Sequence, residues 1–562
     1  MKKFAKKFAL LSMATIMLVG CSSGGGSTTS SSSSGGGSST SSSSGPSGTS
    51  VIALGSVNGI FSPFFVQTTY DRTICDTVHE YLIEIDRQGH IIPNLADYTV
   101  EEIVNDAGEI QTVYTFKFFE GITFSDGTPV TADDLIFNYK VYLDPTYDGA
   151  WPLAVLPIVG ADDYKNGSAT EVEGIKKIDD LTVEVTLDGV DPSAIHSLRV
   201  AVLPEHYYGE GFVKGDLSTV KDKTGSPMGA GAYVFESFEN NIINLAANEN
   251  YYFGTPEIAK IKFQVIDSAN MFEAVRSGTI DIADPSATPE MVAMVEEAGL
   301  HYELVTHNAY GYIGLNAEHI PDVDVRKGLM YLMNRGPAIE SYYGPHATVI
   351  ERPMSQVSWA YPQDAEEIYG YSKEKALEHF LAAGYEQING QLVKDGEQLK
   401  IEVGISGNGI MDHPVAPILT QMKVDLEDLG GSMEIFDTDS SLFFDKLASK
   451  EWQMWTASWT GSADPDMYRF YHTEGSSDRH ELKDPELDAI LEAARNTLDT
   501  DELLDLYHAA LEYVVEEAIV MPVYQRQNMY IFNPEMIDID SLPDDMTSFY
   551  LFYDELHNLK MK

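Results

Sequence analysis

The chain has 562 residues, and its 87 acidic and 36 basic side chains give a net charge of −51 at neutral pH. This excess of acid argues against nucleic-acid binding, which requires a basic surface, and against electrostatic docking on anionic lipid. Without a processed N-terminus about 510 residues remain, enough for two or three domains. We expect a soluble monomer.

Residues 1–20 have the pattern of a signal peptide. Lysines precede an uncharged run from Phe8 to Val19, which is too short to span a bilayer. The run ends in the letters LVGC, with Cys21 last, which resemble the lipobox of bacterial lipoproteins. That resemblance implies acylation of Cys21 and attachment to the membrane by lipid alone. An ordinary cleaved secretory signal is the alternative.

A low-complexity segment follows the signal. From Ser22 to Ser50 every residue is Ser, Gly or Thr except Pro46. Such a composition is typical of a flexible chain that buries no apolar surface. We therefore expect residues 21–50 to form a linker between the lipid and the folded body. Acylation of the first cysteine leaves Cys75 without a cysteine partner, so we expect it to be a small buried apolar residue.

The first half of the body alternates between strand and helix patterns. Segment 112–119 places three aromatic side chains on one face, and segment 181–187 alternates Leu and Val with other residues. Between them, Thr131 and Asp134 have capping-box spacing ahead of an apolar run, which predicts the start of a helix. Apolar residues recur at helical spacing in 325–333. The pattern is that of a mixed α/β protein.

The clearest helices lie near the C-terminus. Asp484 precedes Pro485 and an apolar stripe, and Asp499 begins a second amphipathic segment. The short apolar run AIVMPVYQ, residues 518–525, then predicts a buried strand.

Catalytic and metal-binding motifs are not evident in the sequence. It contains no His-Glu-x-x-His, no Walker loop and no Gly-x-Ser-x-Gly. Adjacent carboxylates such as Asp133 and Asp134 are expected by chance in so acidic a chain, and carry no weight as an acid/base pair. Asp322 and Asp324 lack the glycine and the distal glutamate of a calcium loop. We therefore expect a protein that is not an enzyme and needs no cofactor or metal.

Five segments in order resemble one family, the extracellular solute-binding proteins of the peptide and nickel transport class, which are receptors of ATP-driven importers. The most recognisable has a strand, the turn Phe-Ser-Asp-Gly-Thr-Pro and a capped helix. The five segments are 114–145, 228–266, 273–283, 312–335 and 483–524. The resemblance covers nearly the whole body from about residue 51.

The resemblance implies an α/β fold of the two-lobed, type II periplasmic-binding-protein kind, with two hinge strands and an inserted extra α+β domain. The hinge strands are expected near 310–316 and 519–524. The expected parts are lobe I (51–88, 200–312 and 521–562), the inserted domain (89–199) and lobe II (313–520).

The function that the resemblance implies is that of a lipid-anchored receptor on the extracytoplasmic face of the cell membrane. It would bind a di- or oligopeptide in a closing cleft between the lobes and deliver it to the permease subunits of an ABC transporter. Two alternatives stay open on the same scaffold. One is a non-peptide solute such as an oligosaccharide or a metal chelate, and the other is a signalling or adhesive role.

The resemblance also implies ligand-binding residues. In the family an aspartate shortly after the last tryptophan holds the α-ammonium of the ligand; here Gly461 and Ser462 occupy its usual places, so Asp464 is the first available carboxylate. A turn role for Asp464 before Pro465 is the alternative. His413 is the only basic candidate for a ligand carboxylate near its segment, and an exposed loop histidine is the alternative there. The expected ligand-binding residues are Thr68, Thr69, Tyr70, Tyr310, His413, Trp459, Gly461, Ser462 and Asp464.

Each of the three clustered tryptophans, taken singly, is more typical of a core than of a binding site. They are Trp452, Trp455 and Trp459. Alternate positions of a strand face opposite ways, so at most one of the three is expected to touch a ligand.

Overall fold

The computed structural model describes residues 46–407 and 413–562. The expected signal peptide, Cys21 and most of the expected linker lie outside the described residues. None of the helices in the described ranges is long and apolar enough to cross a membrane.

The described chain contains twenty strands, most of them short. They are β1 Ser47–Leu54, β2 Ile83–Ile85, β3 Ile91–Pro93, β4 Ala96–Val104, β5 Ile110–Phe118, β6 Ile175–Asp179, β7 Thr182–Asp188, β8 Tyr233–Glu239, β9 Ile242–Ala247, β10 Ile258–Val265, β11 Ile282–Ala283, β12 His301–Leu315, β13 Ala347–Thr348, β14 Glu386–Ile388, β15 Gln391–Lys394, β16 Glu397–Gln398, β17 Lys400–Ser406, β18 Ser432–Thr438, β19 Met454–Thr460 and β20 Val520–Phe532.

Sixteen α-helices alternate with these strands within the described ranges. They are α1 Thr69–Val78, α2 Ala132–Tyr142, α3 Ala161–Asn166, α4 Ala194–Leu198, α5 Glu205–Tyr208, α6 Ser218–Lys221, α7 Ser268–Arg276, α8 Pro289–Glu297, α9 Val323–Tyr331, α10 Arg335–Tyr343, α11 Lys373–Ala382, α12 Ala416–Leu429, α13 Ser440–Ala448, α14 Tyr468–Tyr471, α15 Pro485–Ala494 and α16 Thr500–Glu516. Short 3₁₀ helices lie at Pro152–Val155, Gly344–His346, Ile539–Ser541 and Phe552–Glu555.

One large sheet organises the molecule. Its strands follow the order β18-β17-β19-β12-β20-β11-β1-β10-β9-β8, with β13 also paired to β20. The strands on the two sides of β12 and β20 come from different parts of the sequence, before residue 284 on one side and after residue 399 on the other. The long antiparallel pair β12–β20 therefore connects two halves of the sheet.

A separate sheet lies in the first third of the chain, with the order β4-β5-β7-β6. Its strands pair by long-range antiparallel registers, such as Tyr114 with Val185. Aromatic residues of β5 and the buried face of α2 belong to one apolar cluster, which includes Phe116, Leu135 and Tyr139. The alternation of residues 112–119 thus produces the buried face that the sequence predicts.

Several local predictions are confirmed. The backbone N–H of Thr131 donates to Asp134 Oδ2 over 2.8 Å at the start of α2, and Asp484 and Asp499 cap α15 and α16 through their side chains. Cys75 is 1% exposed. The mixed α/β character is confirmed as well.

Two boundaries differ from the sequence predictions. The expected linker runs to residue 50, yet Ser47–Ser50 already form the start of β1, where Ser50 pairs with Ile261. Backbone pairing does not depend on the side chain, so a serine-rich segment can extend a strand. The predicted strand 518–525 is the first part of β20, which continues to Phe532 because β12 and β11 pair with it throughout.

Candidate functional site

The strand directions place several carboxyl ends at the junction of the two halves. In one half of the sheet, β11 is antiparallel to β20, and β1 is parallel to both β11 and β10. In the other half, β19 is antiparallel to β12 and parallel to β17. The carboxyl ends of β1, β10 and β11 therefore point toward the half of the sheet that holds β17 and β19. The carboxyl ends of β17 and β19 point in the opposite direction, toward the half that holds β1, β10 and β11. Ligands of open α/β sheets bind outside the carboxyl ends of the strands, so the site is expected at this junction.

The β12–β20 pairing is interrupted at the same place. Thr306 pairs with Gln527 and Tyr310 with Gln525, so residues 307–309 of β12 face Arg526 alone on β20. The buried side chain of Gln525 holds this bulge, since its Nε2 donates to the His307 carbonyl over 2.6 Å. Bulges re-aim side chains and are frequent beside functional sites.

The loop after β19 is fixed to that bulge. Gly461 N–H donates to the carbonyl of Asn308 over 2.9 Å, and Asn308 Nδ2 donates back to the carbonyl of Gly461 over 2.7 Å. A Cβ atom on Gly461 would lie 3.0 Å from Asn308 Oδ1. The close approach explains why glycine stands at this position. Ser462 is exposed and its hydroxyl donates to the carbonyl of Asp464 over 2.7 Å.

Asp464 lies in a group of charged residues that we call the acidic cluster: Asp191, Asp464, Asp466 and Arg495. Asp464 Oδ1 accepts from Ser193 Oγ and from the Asp466 N–H, both over 3.1 Å. Arg495 Nε donates to Asp466 Oδ2 over 3.1 Å. Of the three carboxylates, only Asp466 forms an ion pair with Arg495 among the described residues. Burial, and then the charge of Asp466, raise the pKa of Asp464 to about 7.

Two expected aromatic residues face each other across β12 and β19. Tyr310 pairs with Trp459. The Tyr310 hydroxyl donates to the Pro353 carbonyl over 2.7 Å and its side chain is buried. Trp459 is half-buried and its ring meets Phe470 edge-on at 4.4 Å. Trp452 and Trp455 are buried in an apolar cluster, as predicted for core tryptophans.

Residues 68–70 support the turn that follows β1. Thr68 caps α1, and Asp71 accepts hydrogen bonds from the N–H groups of Asn58, Gly59 and Ile60. The ring of Tyr70 covers Gly55, on which a Cβ atom would lie 2.2 Å from Tyr70 Cε2. Thr69 is exposed. This segment is thereby positioned at the carboxyl end of β1.

His413 directly follows a short segment that lies outside the described residues. Its Nδ1 accepts from the Val415 N–H over 3.3 Å ahead of α12, and burial lowers its pKa. The structure brings Tyr310, Trp459, Gly461, Ser462 and Asp464 together around one loop. In the described ranges no hydrogen bond or ring contact joins this group to residues 68–70 or to His413.

The described residues enclose a cavity of about 530 Å³, whose lining contains no member of the acidic cluster. Its lining includes Thr306, Gln356 and Trp359. The Trp359 N–H donates to the Gln88 carbonyl over 3.1 Å, and a Cβ atom on Gly89 would lie 3.4 Å from the Ala463 Cα. The volume lies within the usual range of small-ligand sites, about 300–1,000 Å³.

Sequence reasoning missed three residues of this region: Ser193, His307 and Arg526. Ser193 lies 271 residues from Asp464 in the chain, and no local pattern links the two. Arg526 carried a usable signal, since it is the single charged residue in segment 518–532. A group of three or more side chains suited to holding a metal ion is absent from residues 46–407 and 413–562.

Comparisons with known proteins agree with this architecture. The family model described as "Bacterial extracellular solute-binding proteins, family 5 Middle" matches residues 91–480. The oligopeptide-binding protein AppA of Bacillus subtilis is 24% identical over 507 residues, which are 87% of this chain and 88% of the relative. The nickel-binding periplasmic protein of Escherichia coli is 23% identical over 493 residues, 83% and 87% of the two chains.

A solved structure shows the same fold. The ABC transporter substrate-binding protein CtaP of Listeria monocytogenes superposes with a TM-score of 0.74 at 19% identity and covers 92% of this chain and 99% of its own. This likeness confirms the predicted fold class, a type II periplasmic-binding-protein fold with two lobes and extra domains. The chain belongs to family 5 of the bacterial extracellular solute-binding proteins, and it is a substrate-binding receptor of the ABC-importer class rather than an enzyme.

Proposed function

We propose that this receptor binds a di- or oligopeptide between two lobes and delivers it to the permease subunits of an ABC importer. The observation that carries the proposal is Asp464, a carboxylate short of positive charge at the carboxyl end of β19. Of the two relatives described above, one is named for oligopeptide binding. An ammonium group would supply the missing charge through a charge-assisted hydrogen bond, which contributes roughly 1.5–3 kcal/mol.

The lobes in this proposal keep the expected boundaries. Lobe I comprises 51–88, 200–312 and 521–562, the inserted domain 89–199, and lobe II 313–520. β12 and β20 cross between the lobes and act as the hinge, with the bulge at residues 307–309 as the point where their pairing changes. Contacts such as Ser193 with Asp464 then join the inserted domain to lobe II.

The ligand amine is held by Asp464 with help from the neighbouring Asp191. The carbonyl and N–H groups around Gly461 and Ser462 lie beside the anchor, and Trp459 with Tyr310 forms an aromatic wall. Thr68, Thr69, Tyr70 and His413 are the further ligand contacts of the proposal. An extended peptide recognised mainly through its backbone leaves its side chains free to vary.

A peptide with a free amine and its N-acetylated form test the anchor. Asp464→Asn keeps an oxygen that can accept from Ser193 and from the Asp466 N–H, so the fold is retained. The variant is expected to bind the free-amine peptide about 30-fold or more weaker, about 2 kcal/mol, in calorimetric titration. The acetylated peptide is expected to lose far less.

The matched control is Asp162→Asn, which removes an exposed carboxylate from α3. It is expected to bind both peptides like the parent. If Asp464→Asn also binds both peptides like the parent, Asp464 is a turn residue and the ammonium is held elsewhere.

The receptor is further proposed to be held on the extracytoplasmic face of the membrane by a lipid on Cys21. The lipobox-like letters LVGC support this. Replacing Cys21 by Ser is expected to release the protein into the medium or periplasm. A Cys21→Ser protein that stays in the membrane fraction would contradict the lipid anchor.

A further inference from the structure

Arg526 lies at the centre of the crossing strands. It is the single residue of β20 that faces the β12 bulge at residues 307–309. The side chain is half-buried, and its Nη1 donates to Asn528 Oδ1 over 3.2 Å. Asn528 in turn hydrogen-bonds Tyr530. The guanidinium is therefore held in place from one side, by neighbours on its own strand.

No acidic side chain in residues 46–407 or 413–562 forms an ion pair with Arg526. In contrast, three arginines that are more deeply buried than Arg526 each pair with a glutamate. These pairs are Arg326 with Glu517 at 3.0 Å, Arg335 with Glu351 at 2.9 Å and Arg352 with Glu512 at 2.8 Å. Arg72, Arg469 and Arg479 also form no ion pair in these ranges, so what distinguishes Arg526 is its place opposite the β12 bulge. Partly buried charges are normally paired.

His307 adds a second donor beside this guanidinium. Its Nδ1 accepts from the Ala309 N–H over 3.0 Å. Burial, and then the charge of Arg526, lower the pKa of His307 to about 4. The ring is therefore neutral near pH 7 with its proton on Nε2, because Nδ1 acts as an acceptor. Within the described chain no protein group accepts from that Nε2.

We propose that Arg526 and His307 bind a carboxylate of the ligand. The planar guanidinium offers paired N–H donors that match the two oxygens of a carboxylate, and His307 Nε2 donates a further hydrogen bond. Asn528 is a positioning residue that orients the guanidinium. The inference deepens the proposed peptide function and rests on it. The carboxylate comes either from the peptide C-terminus or from an acidic side chain.

Four forms of one short peptide distinguish these sources without changing the protein. One has a free C-terminus and no acidic side chain, the second is its C-terminal amide, and the other two are the same pair with one glutamate added. If the C-terminus is bound, both amides are expected to bind at least tenfold weaker than their free acids. If the side chain is bound, the glutamate strengthens binding by a similar factor whether or not the C-terminus is blocked.

Variants assign the effect to the site. Arg526→Gln is expected to bind the carboxylate form at least tenfold weaker, and Arg526→Lys to recover part of the loss, because a lysine keeps the charge without the paired donors. His307→Phe removes the Nε2 donor and is expected to weaken the same form several-fold. Arg276→Gln on α7 is the matched control, since Arg276 is exposed and pairs with Glu273.

The outcomes separate the two proposals. A parent protein that binds none of the four peptides overturns the peptide function, and the carboxylate site with it. If the parent binds all four equally, or Arg526→Gln retains the parent's preference for the carboxylate form, only the carboxylate site is wrong. Thermal unfolding of the ligand-free variants checks that each one is folded.

Discussion

The acidic cluster and the Arg526 site carry uncompensated charges of opposite sign. In the acidic cluster, Arg495 pairs with Asp466, and no cation of the described residues forms an ion pair with Asp191 or Asp464. At the other site the guanidinium of Arg526 forms no ion pair with a carboxylate of the described residues. In contrast, the buried Arg352 pairs with Glu512 within the fold. At both sites we propose that a ligand supplies the opposite charge.

The two sites are also close along the backbone. His307 of the Arg526 site is next to Asn308, and Asn308 is hydrogen-bonded to Gly461. Asp464 follows Gly461 by three residues, which span at most about 11 Å when fully extended. An extended peptide covers about 3.3–3.6 Å per residue, so a ligand of a few residues with free termini suits both sites at once.

Reversing one charge is expected to give the largest effect. Arg526→Glu places a carboxylate where the ligand carboxylate binds, and like charges at a binding site cost several kcal/mol. The free-acid peptide should then bind roughly a hundredfold or more weaker in calorimetric titration, whereas its C-terminal amide should be much less affected. Equal losses for the acid and the amide would contradict the assignment of opposite roles to the two sites.

Lobe closure is expected to need both charges of the ligand. A peptide with both termini free should reduce the radius of gyration in solution scattering, because it bridges groups on either side of the hinge. At a hundredfold excess over Kd it should also stabilise the protein by about 2.7 kcal/mol. The same peptide blocked at both ends serves as the control. Closure by the blocked peptide alone would show that the charges do not drive the motion.

The smallest effect concerns the ligand-free protein. Folding raises the pKa of Asp464 from its ordinary value near 3.8 to about 7, so the folded state retains a proton that the unfolded state loses between these values. The stability from this group is present below about pH 4 and is lost as the pH rises through 7.

Asp464→Asn is expected to remove the loss of folding stability that the titration of Asp464 causes as the pH rises. The parent should therefore lose more stability than the variant between pH 5 and pH 8, by on the order of 1 kcal/mol, because solvent screens much of the effect at a partly exposed carboxylate. Denaturant titrations at both pH values measure the difference. Parallel pH profiles of the two proteins would show that Asp464 is not the titrating group.

The elements that the sequence predicts well are those set by neighbours in the chain. The alternation in 112–119 and the caps Asp484 and Asp499 depend on contacts within a few residues. The crossing of β12 and β20 depends on pairs more than 200 residues apart, such as Tyr310 with Gln525. No local pattern specifies such pairs.

The same distinction applies to the site. Asp464 and Gly461 lie in one conspicuous loop. The resemblance to the family points to this loop, and Asp464 is its first carboxylate because Gly461 and Ser462 occupy the usual places of the family's aspartate. His307 and Arg526 belong to different strands, and only the bulge in the β12–β20 register places them opposite each other. The sequence prediction of a strand ended at Gln525, one residue before the arginine, because the apolar run stops there. A single charged residue in an otherwise uncharged central strand, as Arg526 is in β20, is a signal for such sites.

The identity of the bound ligand decides whether this protein is a peptide receptor. Protein freed of bound ligand by unfolding and refolding can be equilibrated with a mixture of short peptides, a nickel–histidine complex and an oligosaccharide, and then examined by native mass spectrometry. We predict a mass increase that matches peptides with both termini free, and no increase for doubly blocked peptides of the same sequence. An increase that matches the nickel complex or the oligosaccharide, or none with any peptide, would contradict a peptide receptor.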